Sequence, residues 1–67
     1  MKEVDARGLS CPEPIMLTNM AMNESTEPFK VLVSEPHQKT NVEKLVKSKG
    51  RTCSFEENGS GFIITVE

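Results

Sequence analysis

The sequence predicts an α/β fold in the order βαβαββ, a two-layer sandwich with two helices on one face of a four-stranded mixed sheet. Three observations predict it. Short alternating or β-branched runs occur near both ends and in the middle of the chain, and two segments with helical spacing of apolar residues lie between them. An Asn-Gly turn signal divides the last apolar region into two strands. The length of 67 residues suits one domain, which we expect to span residues 1–67.

The first elements are a strand, a turn and a helix. Val4 and Ala6 alternate with polar neighbours as in a short strand, and Gly8 tolerates the positive φ that a turn requires. A helix is predicted from Pro12 to about Met22. Its apolar residues at helical spacing are Leu17, Met20 and Ala21.

Cys11 is predicted to precede this helix as its N-cap. Pro12 suits the first helical position, and Pro14 still lies in the first turn, where its missing N–H removes no intrahelical hydrogen bond. The N-terminus of a helix favours an anion and can lower a cysteine pKa from about 8.5 to roughly 3.5–7.5. Arg7 would favour the thiolate and the Glu13 carboxylate would oppose it, with the Glu13 N–H as the nearest donor to the sulfur. The alternative is that Cys11 is a small buried hydrophobe.

The middle of the chain predicts a second strand and a second helix. Phe29–Val33 is β-branched and alternating, and its connection to the first strand through a helix makes the two strands parallel. Thr40 and Glu43 have the spacing of a capping box, which would begin the helix at Thr40. The apolar stripe of this helix consists of Val42, Leu45 and Val46, and Gly50 is its predicted stop.

The last part of the chain predicts a hairpin. Strands are expected over residues 51–55 and 62–66, with a turn over residues 57–61. Cys53 alternates with Phe55 on one strand face and is predicted to be buried and structural. All three aromatic residues, Phe29, Phe55 and Phe62, are expected in the core.

The loop after the second strand contains Glu35 and His37. Because loops at the carboxyl ends of parallel strands meet at one edge of a sheet, these residues are candidate neighbours of Cys11. A histidine there could tune a thiolate, although a lone loop histidine is more often a solvated surface residue.

Composition excludes several classes of function. With 8 basic and 10 acidic residues, the chain lacks a basic field for nucleic acid. No apolar run is long enough to span a bilayer, and the N-terminus contains no signal-peptide core, so we expect a cytoplasmic protein. Cys11, Cys53 and His37 lack the spacing of a zinc site, and no metal or other resident cofactor is expected.

The run from Asp5 to Pro14, Asp-Ala-Arg-Gly-Leu-Ser-Cys-Pro-Glu-Pro, resembles the signature of the TusA-like (SirA/YedF-like) sulfur-carrier family. That signature has an Asp, a Gly-Leu pair and a Cys-Pro-x-Pro at this spacing. The resemblance implies the same two-layer fold and covers essentially the whole chain, although it is weak after Gly50. Two departures are Glu35-Pro36, where an Asp-Pro pair is common, and Asn41-Val42, where an acidic residue often precedes an apolar one.

The resemblance implies that Cys11 accepts sulfur as a persulfide from a cysteine desulfurase and relays it to a downstream acceptor protein. Such a carrier serves tRNA thiolation, cofactor sulfuration or related sulfur and selenium metabolism, as a relay more than a turnover enzyme. The loop and the helix start would be shaped by Asp5, Arg7, Gly8, Pro12, Glu13 and Pro14.

Two other functions remain open at this stage. In the first, the chain is an interaction or regulatory module in which Cys11 only caps the helix, so that serine would serve as well. In the second, Cys11 and Cys53 form a redox switch, which requires the two sulfurs within bridging distance.

Overall fold

The computed structural model describes residues 2–10, 12–59 and 61–67. The predicted order βαβαββ is confirmed, and the four strands form one mixed sheet in the order β1-β2-β4-β3. The elements are β1 (Lys2–Asp5), α1 (Glu13–Glu24), β2 (Phe29–Val33), α2 (Pro36–Ser48), β3 (Cys53–Asn58) and β4 (Gly61–Val66).

The pairing of β1 with β2 is parallel, as the crossover through α1 predicts, with Val4 opposite Val31. β4 pairs antiparallel with both β2 and β3, so that Ile64 lies opposite Val31 on one side and Phe55 on the other. The two strands that lead into helices are therefore neighbours, and their carboxyl ends lie at the same edge of the sheet.

The core lies between the sheet and the two helices. Alternate residues of β2 and β4 point into it, because successive side chains of a strand face opposite sides of the sheet. From α2 the core receives Val42 and Val46, as predicted, and from α1 it receives Ala21. The buried apolar residues are Ala6, Ala21, Phe29, Val31, Val33, Val42, Val46, Ile64 and Val66.

Helix α1 differs from its prediction at its start and in its buried face. It begins at Glu13, one residue later than predicted, with Pro12 in the N-cap position that the sequence assigned to Cys11. Met20 was expected on the apolar stripe but is 56% exposed. Thr18 is buried in its place, and its hydroxyl donates to the Pro14 carbonyl at 2.8 Å. That internal hydrogen bond satisfies the hydroxyl, which allows a polar residue to face the core.

Helix α2 begins four residues before Thr40, so the predicted capping box is wrong. Pro36 occupies the first turn and Glu35 is the N-cap, while Thr40 lies inside the helix and bonds back to the Pro36 carbonyl at 3.2 Å. A proline at the first helical position is favourable because its missing N–H needs no partner. The predicted stop is confirmed: Gly50 has φ +75°, and the N–H of Arg51 reaches the Val46 carbonyl at 3.2 Å. Within residues 12–59, neither helix is long and apolar enough to cross a membrane.

The hairpin is longer than predicted, since β3 runs to Asn58 and pairs it directly with Gly61. Phe29 is buried and Phe62 packs partly buried against the core, but Phe55 is 52% exposed and the expectation that it is core is wrong. It lies on the edge strand β3, where the ammonium group of Lys39 is 3.7 Å from its ring centroid. This position allows a cation–π contact between Lys39 of α2 and the exposed ring.

Gly61 marks the closest approach between β4 and the end of β2. A Cβ added at this position would overlap the Val33 carbonyl oxygen and contact the Ser34 Cα at 3.3 Å. Because both are backbone atoms, we expect Gly61→Ala to lower the free energy of unfolding by about 2 kcal/mol, as other overpacked sites do.

Urea denaturation of Gly61→Ala measures this change. Ser54→Ala, on an exposed position of β3, is the matched control and is expected to stay near the wild-type midpoint. A Gly61→Ala midpoint equal to that of the control would contradict the predicted clash.

Candidate functional site

The loop that joins β1 to α1 leaves the sheet at the edge where β1 and β2 both end. Beyond the last β1 residue, the Ala6 N–H donates to the Leu32 carbonyl at 2.8 Å, so the chain stays against β2 before it turns away. Ala6 itself is fully buried. The predicted convergence of the two loops is therefore present. The catalytic candidate Cys11 lies outside the described residues, and its position remains the expectation drawn from the sequence.

Two side chains of the β2–α2 segment hold this loop by its backbone. The Gly8 N–H donates to the Ser34 hydroxyl at 2.8 Å, and the Gln38 side-chain amide donates through Nε2 to the Leu9 carbonyl. Gly8 adopts the predicted positive φ, +79°, which a residue with a Cβ rarely adopts. The Leu9 N–H completes the turn by bonding to the Ala6 carbonyl at 3.3 Å. The loop is thus fixed at Gly8 and Leu9, the third and second residues before Cys11.

Asp5 and Arg7 form an ion pair at the start of the loop. The Arg7 guanidinium donates through Nε and Nη2 to the two carboxylate oxygens of Asp5, each at 2.9 Å, and the Arg7 N–H adds a third bond at 3.2 Å. These hydrogen bonds lower the pKa of Asp5 to about 2 and raise the pKa of Arg7. Both side chains are more than half exposed. Arg7 was expected to favour the Cys11 thiolate, but its guanidinium is paired with the Asp5 carboxylate.

The Glu13 N–H, which was expected to be the nearest donor to the Cys11 sulfur, has another partner at the start of α1. It donates to the Ser10 carbonyl at 2.8 Å. Pro14 is buried in the first turn, as its position predicts, whereas Pro12 and the Glu13 side chain are exposed. The exposed Glu13 carboxylate lies in the first turn of the helix, where the helix dipole favours a negative charge.

Glu35 and His37, the candidate neighbours of the cysteine, are both exposed. Among the described residues, neither side chain forms a hydrogen bond or an ion pair; Glu35 contributes its backbone carbonyl, which accepts the N–H groups of Gln38 and Lys39. The residues that contact the loop are instead Ser34 and Gln38. Sequence reasoning missed both.

A signal for Gln38 was present in the pattern. Residues 38, 42 and 46 recur every four positions and share one face of a helix, and all three are buried. A glutamine on an otherwise apolar stripe requires a polar partner, since buried amides are nearly always hydrogen-bonded. The error in the start of α2 hid this signal, because it placed Gln38 in a loop.

Cys53 lies at the opposite end of the sheet from the loop. It pairs with Val66, which pairs in turn with Phe29 at the start of β2. Cys53 packs against the core but is only half-buried, short of the full burial predicted. Burial is the main cause that raises the pKa of its thiol, and the nearby Glu43 carboxylate raises it further. A cysteine with a raised pKa is a poor nucleophile near neutral pH, which fits a structural role.

Among residues 2–10, 12–59 and 61–67, no group of three or more His, Cys, Asp or Glu side chains is arranged to hold a metal ion. Ser34 and Gln38 instead supply hydrogen bonds to the loop backbone.

Comparison with known proteins gives three results. The profile of the family described as "Sulfurtransferase TusA" matches residues 2–67. The chain belongs to the TusA family. A relative from Archaeoglobus fulgidus, named "Putative sulfur carrier protein", is 40% identical over 66 residues, which cover 94% of this chain and 86% of the relative. The crystal structure of a SirA-like protein from Desulfitobacterium hafniense superposes with a TM-score of 0.88 at 28% identity, covering 98% of this chain and 93% of that one.

The match to the TusA family covers every element described above, from β1 to β4. It includes the part after Gly50, where the resemblance read from the sequence was weak. The high TM-score shows that the SirA-like protein has the same two-layer arrangement of βαβαββ elements. The fold expected from the resemblance is therefore confirmed.

The Asp5–Arg7 pair makes a testable prediction about pH. Asp5 is the only aspartate of the chain, so its carboxyl carbon can be followed selectively by NMR. We expect its pKa to be about 2, because the Arg7 guanidinium stabilises the carboxylate, and to return toward 3.8 in Arg7→Gln. Because the folded-state pKa is the lower one, the pair stabilises the fold above about pH 4 and loses this effect as the pH falls toward 2.

Lys44→Gln is the control for this titration, since it removes one exposed positive charge on α2 that contacts neither residue. An Asp5 midpoint that is the same in wild type, Arg7→Gln and Lys44→Gln would show that the ion pair does not persist in solution. High salt is expected to weaken the shift, because both groups are exposed.

Proposed function

We propose that this protein is a sulfur carrier in which Cys11 accepts sulfane sulfur from a cysteine desulfurase and relays it to an acceptor protein. The observation that carries the proposal is membership of the TusA sulfurtransferase family over residues 2–67, a span that includes the Cys11-Pro12-Glu13-Pro14 segment. The relative named as a sulfur carrier, 40% identical, supports it further.

The proposed chemistry is a thiol–persulfide exchange. The Cys11 thiolate attacks the outer sulfur of the persulfide on the desulfurase, a new S–S bond forms on Cys11, and the enzyme's cysteine leaves as a thiolate. A thiolate of the acceptor protein then attacks the outer sulfur on Cys11, and Cys11 leaves as a thiolate. The two steps balance without an added oxidant or reductant.

The loop before Cys11 is suited to such an exchange. An exchanging sulfur must be reached by two different proteins, and loops at the carboxyl ends of parallel strands are open to partners. The backbone at Gly8 and Leu9 is nevertheless held by Ser34 and Gln38, which limits the motion of the segment that leads to Cys11. A held but exposed loop favours attack, because orientation of the nucleophile lowers the barrier.

The second cysteine supplies a matched control. Cys53 is half-buried, has a raised thiol pKa and lies at the far end of the sheet. We therefore expect Cys11→Ser to abolish sulfur loading and Cys53→Ser to leave it at the wild-type level.

The test is intact mass spectrometry after incubation with a cysteine desulfurase and cysteine, with and without a reductant. A reducible gain of one sulfur atom in wild type and Cys53→Ser, and none in Cys11→Ser, is the expected result. Equal loss in both variants, with both shown to be folded by circular dichroism, would rule out Cys11 as the specific carrier. No gain in wild type with an alkylatable Cys11 thiol would favour the interaction module in which Cys11 only caps the helix.

A further inference from the structure

Gln38 is a buried amide in a place where an apolar residue would be expected. It is 2% exposed and shares its helix face with Val42 and Val46, both fully buried. Its side chain reaches away from these neighbours to the β1–α1 loop, where Nε2 donates to the Leu9 carbonyl. This is the one hydrogen bond that the Gln38 side chain makes to the described part of the chain.

The other polar atom of the same amide is unsatisfied. Gln38 Oε1 is buried and accepts no hydrogen bond from residues 2–10, 12–59 or 61–67. An apolar side chain of similar shape would fill this space and leave no acceptor buried without a partner. Packing therefore does not account for an amide at position 38, whereas its contact with Leu9 does.

Ser34 acts on the adjacent residue of the same loop. Its hydroxyl accepts the Gly8 N–H at 2.8 Å, next to the Leu9 carbonyl that accepts from Gln38. The Ser34 contact therefore satisfies a backbone N–H, and the Gln38 contact satisfies a backbone carbonyl. Together they hold two neighbouring residues of the segment that leads to Cys11.

We propose that Gln38 and Ser34 are positioning residues for sulfur transfer: they clamp the backbone at Leu9 and Gly8 and thereby set the orientation of the Cys11 segment. This inference rests on the proposed carrier function of Cys11. It assigns the positioning role to the two polar residues that flank Glu35 and His37 in sequence, and not to Glu35 and His37 themselves.

The test measures the rate of sulfur transfer from a cysteine desulfurase as a function of carrier concentration. In Gln38→Met, which keeps the length of the side chain but loses the amide, we expect the maximal rate to fall by about ten- to a hundredfold, the scale of a misplaced nucleophile. The half-saturating concentration of Gln38→Met should stay near wild type, because the Gln38 side chain is buried and its substitution leaves the surface unchanged. Ser34→Ala should show the same pattern, and Ser34→Thr, which keeps the hydroxyl, should restore the rate.

Val46→Ala is the control for stability. It lies two turns along the same helix face, removes buried apolar volume and leaves the loop contacts intact, so it should lower the unfolding midpoint without lowering the maximal rate. Gln38→Met and Val46→Ala transferring sulfur at the same rate would overturn the positioning role. If Gln38→Met does not fold, Ser34→Ala tests the positioning role instead, because the Ser34 hydrogen bond is exposed and its loss should be tolerated.

A second readout does not depend on sulfur transfer. In a Cys53→Ser background, the rate of alkylation of Cys11 by iodoacetamide is followed against pH. Gln38→Met and Ser34→Ala are expected to change this alkylation profile, because they release the backbone that leads to Cys11, while Val46→Ala and Ser34→Thr keep the wild-type profile. Unchanged profiles in both clamp variants would contradict the inference. Absence of sulfur loading in wild type would instead contradict the proposed function.

Discussion

The parallel pairing of β1 with β2 is the constraint on which the rest of this structure depends. A parallel pair requires a crossover, and here α1 provides it. The chain leaves the carboxyl end of β1, passes through α1 and enters β2 at the opposite end of the sheet. The same pairing puts the end of β1 beside the end of β2. Hydrogen bonds from Ala6 to Leu32, from Gly8 to Ser34 and from Gln38 to Leu9 all follow from that proximity. The parallel direction of the two strands therefore brings the loop close to the β2–α2 segment, and the side chains of Ser34 and Gln38 then hold it there.

The two ends of the sheet are held by different chemistry. At the edge opposite the loop, the Arg51 guanidinium donates to the backbone carbonyls of Thr26, Glu27 and Glu67, which joins the α1–β2 connection to the end of the chain. At the loop edge, the contacts that hold the backbone come from a neutral hydroxyl and a neutral amide, and the Arg7 guanidinium is paired with Asp5. The charge of Arg7 is therefore balanced within the loop itself.

Most of the fold could be predicted from the sequence because local signals agreed with the global order. Val42 and Val46 are buried, Gly8 and Gly50 have positive φ, and the parallel crossover is present. One error occurred where two local signals competed. Thr40 and Glu43 have the spacing of a capping box, but Pro36 is also a signal for a helix start, and the helix begins there.

Other errors have a tertiary cause that no local pattern contains. Met20 and Phe55 are more than half exposed, and their exposure depends on which face of α1 packs on the sheet and on the place of β3 at the sheet edge. The contacts of the candidate site are harder still to predict, since the partner of Gln38 is a backbone carbonyl twenty-nine positions away. The sequence indicated a candidate loop, through Cys11 and its prolines, but it could not indicate which side chains hold that loop in place.

The small size of the domain favours clamps on the loop that are polar but uncharged. A chain of 67 residues buries a limited core, so it has little stability to spare for a strained or heavily charged site. Under the proposed function the loop must also be open to two partner proteins, and a cationic pocket would favour retention of an anionic persulfide over its release. The Ser34 hydroxyl and the Gln38 amide hold Gly8 and Leu9 without adding net charge to the loop. Neutral clamps of this kind suit a carrier that must both accept and release sulfur.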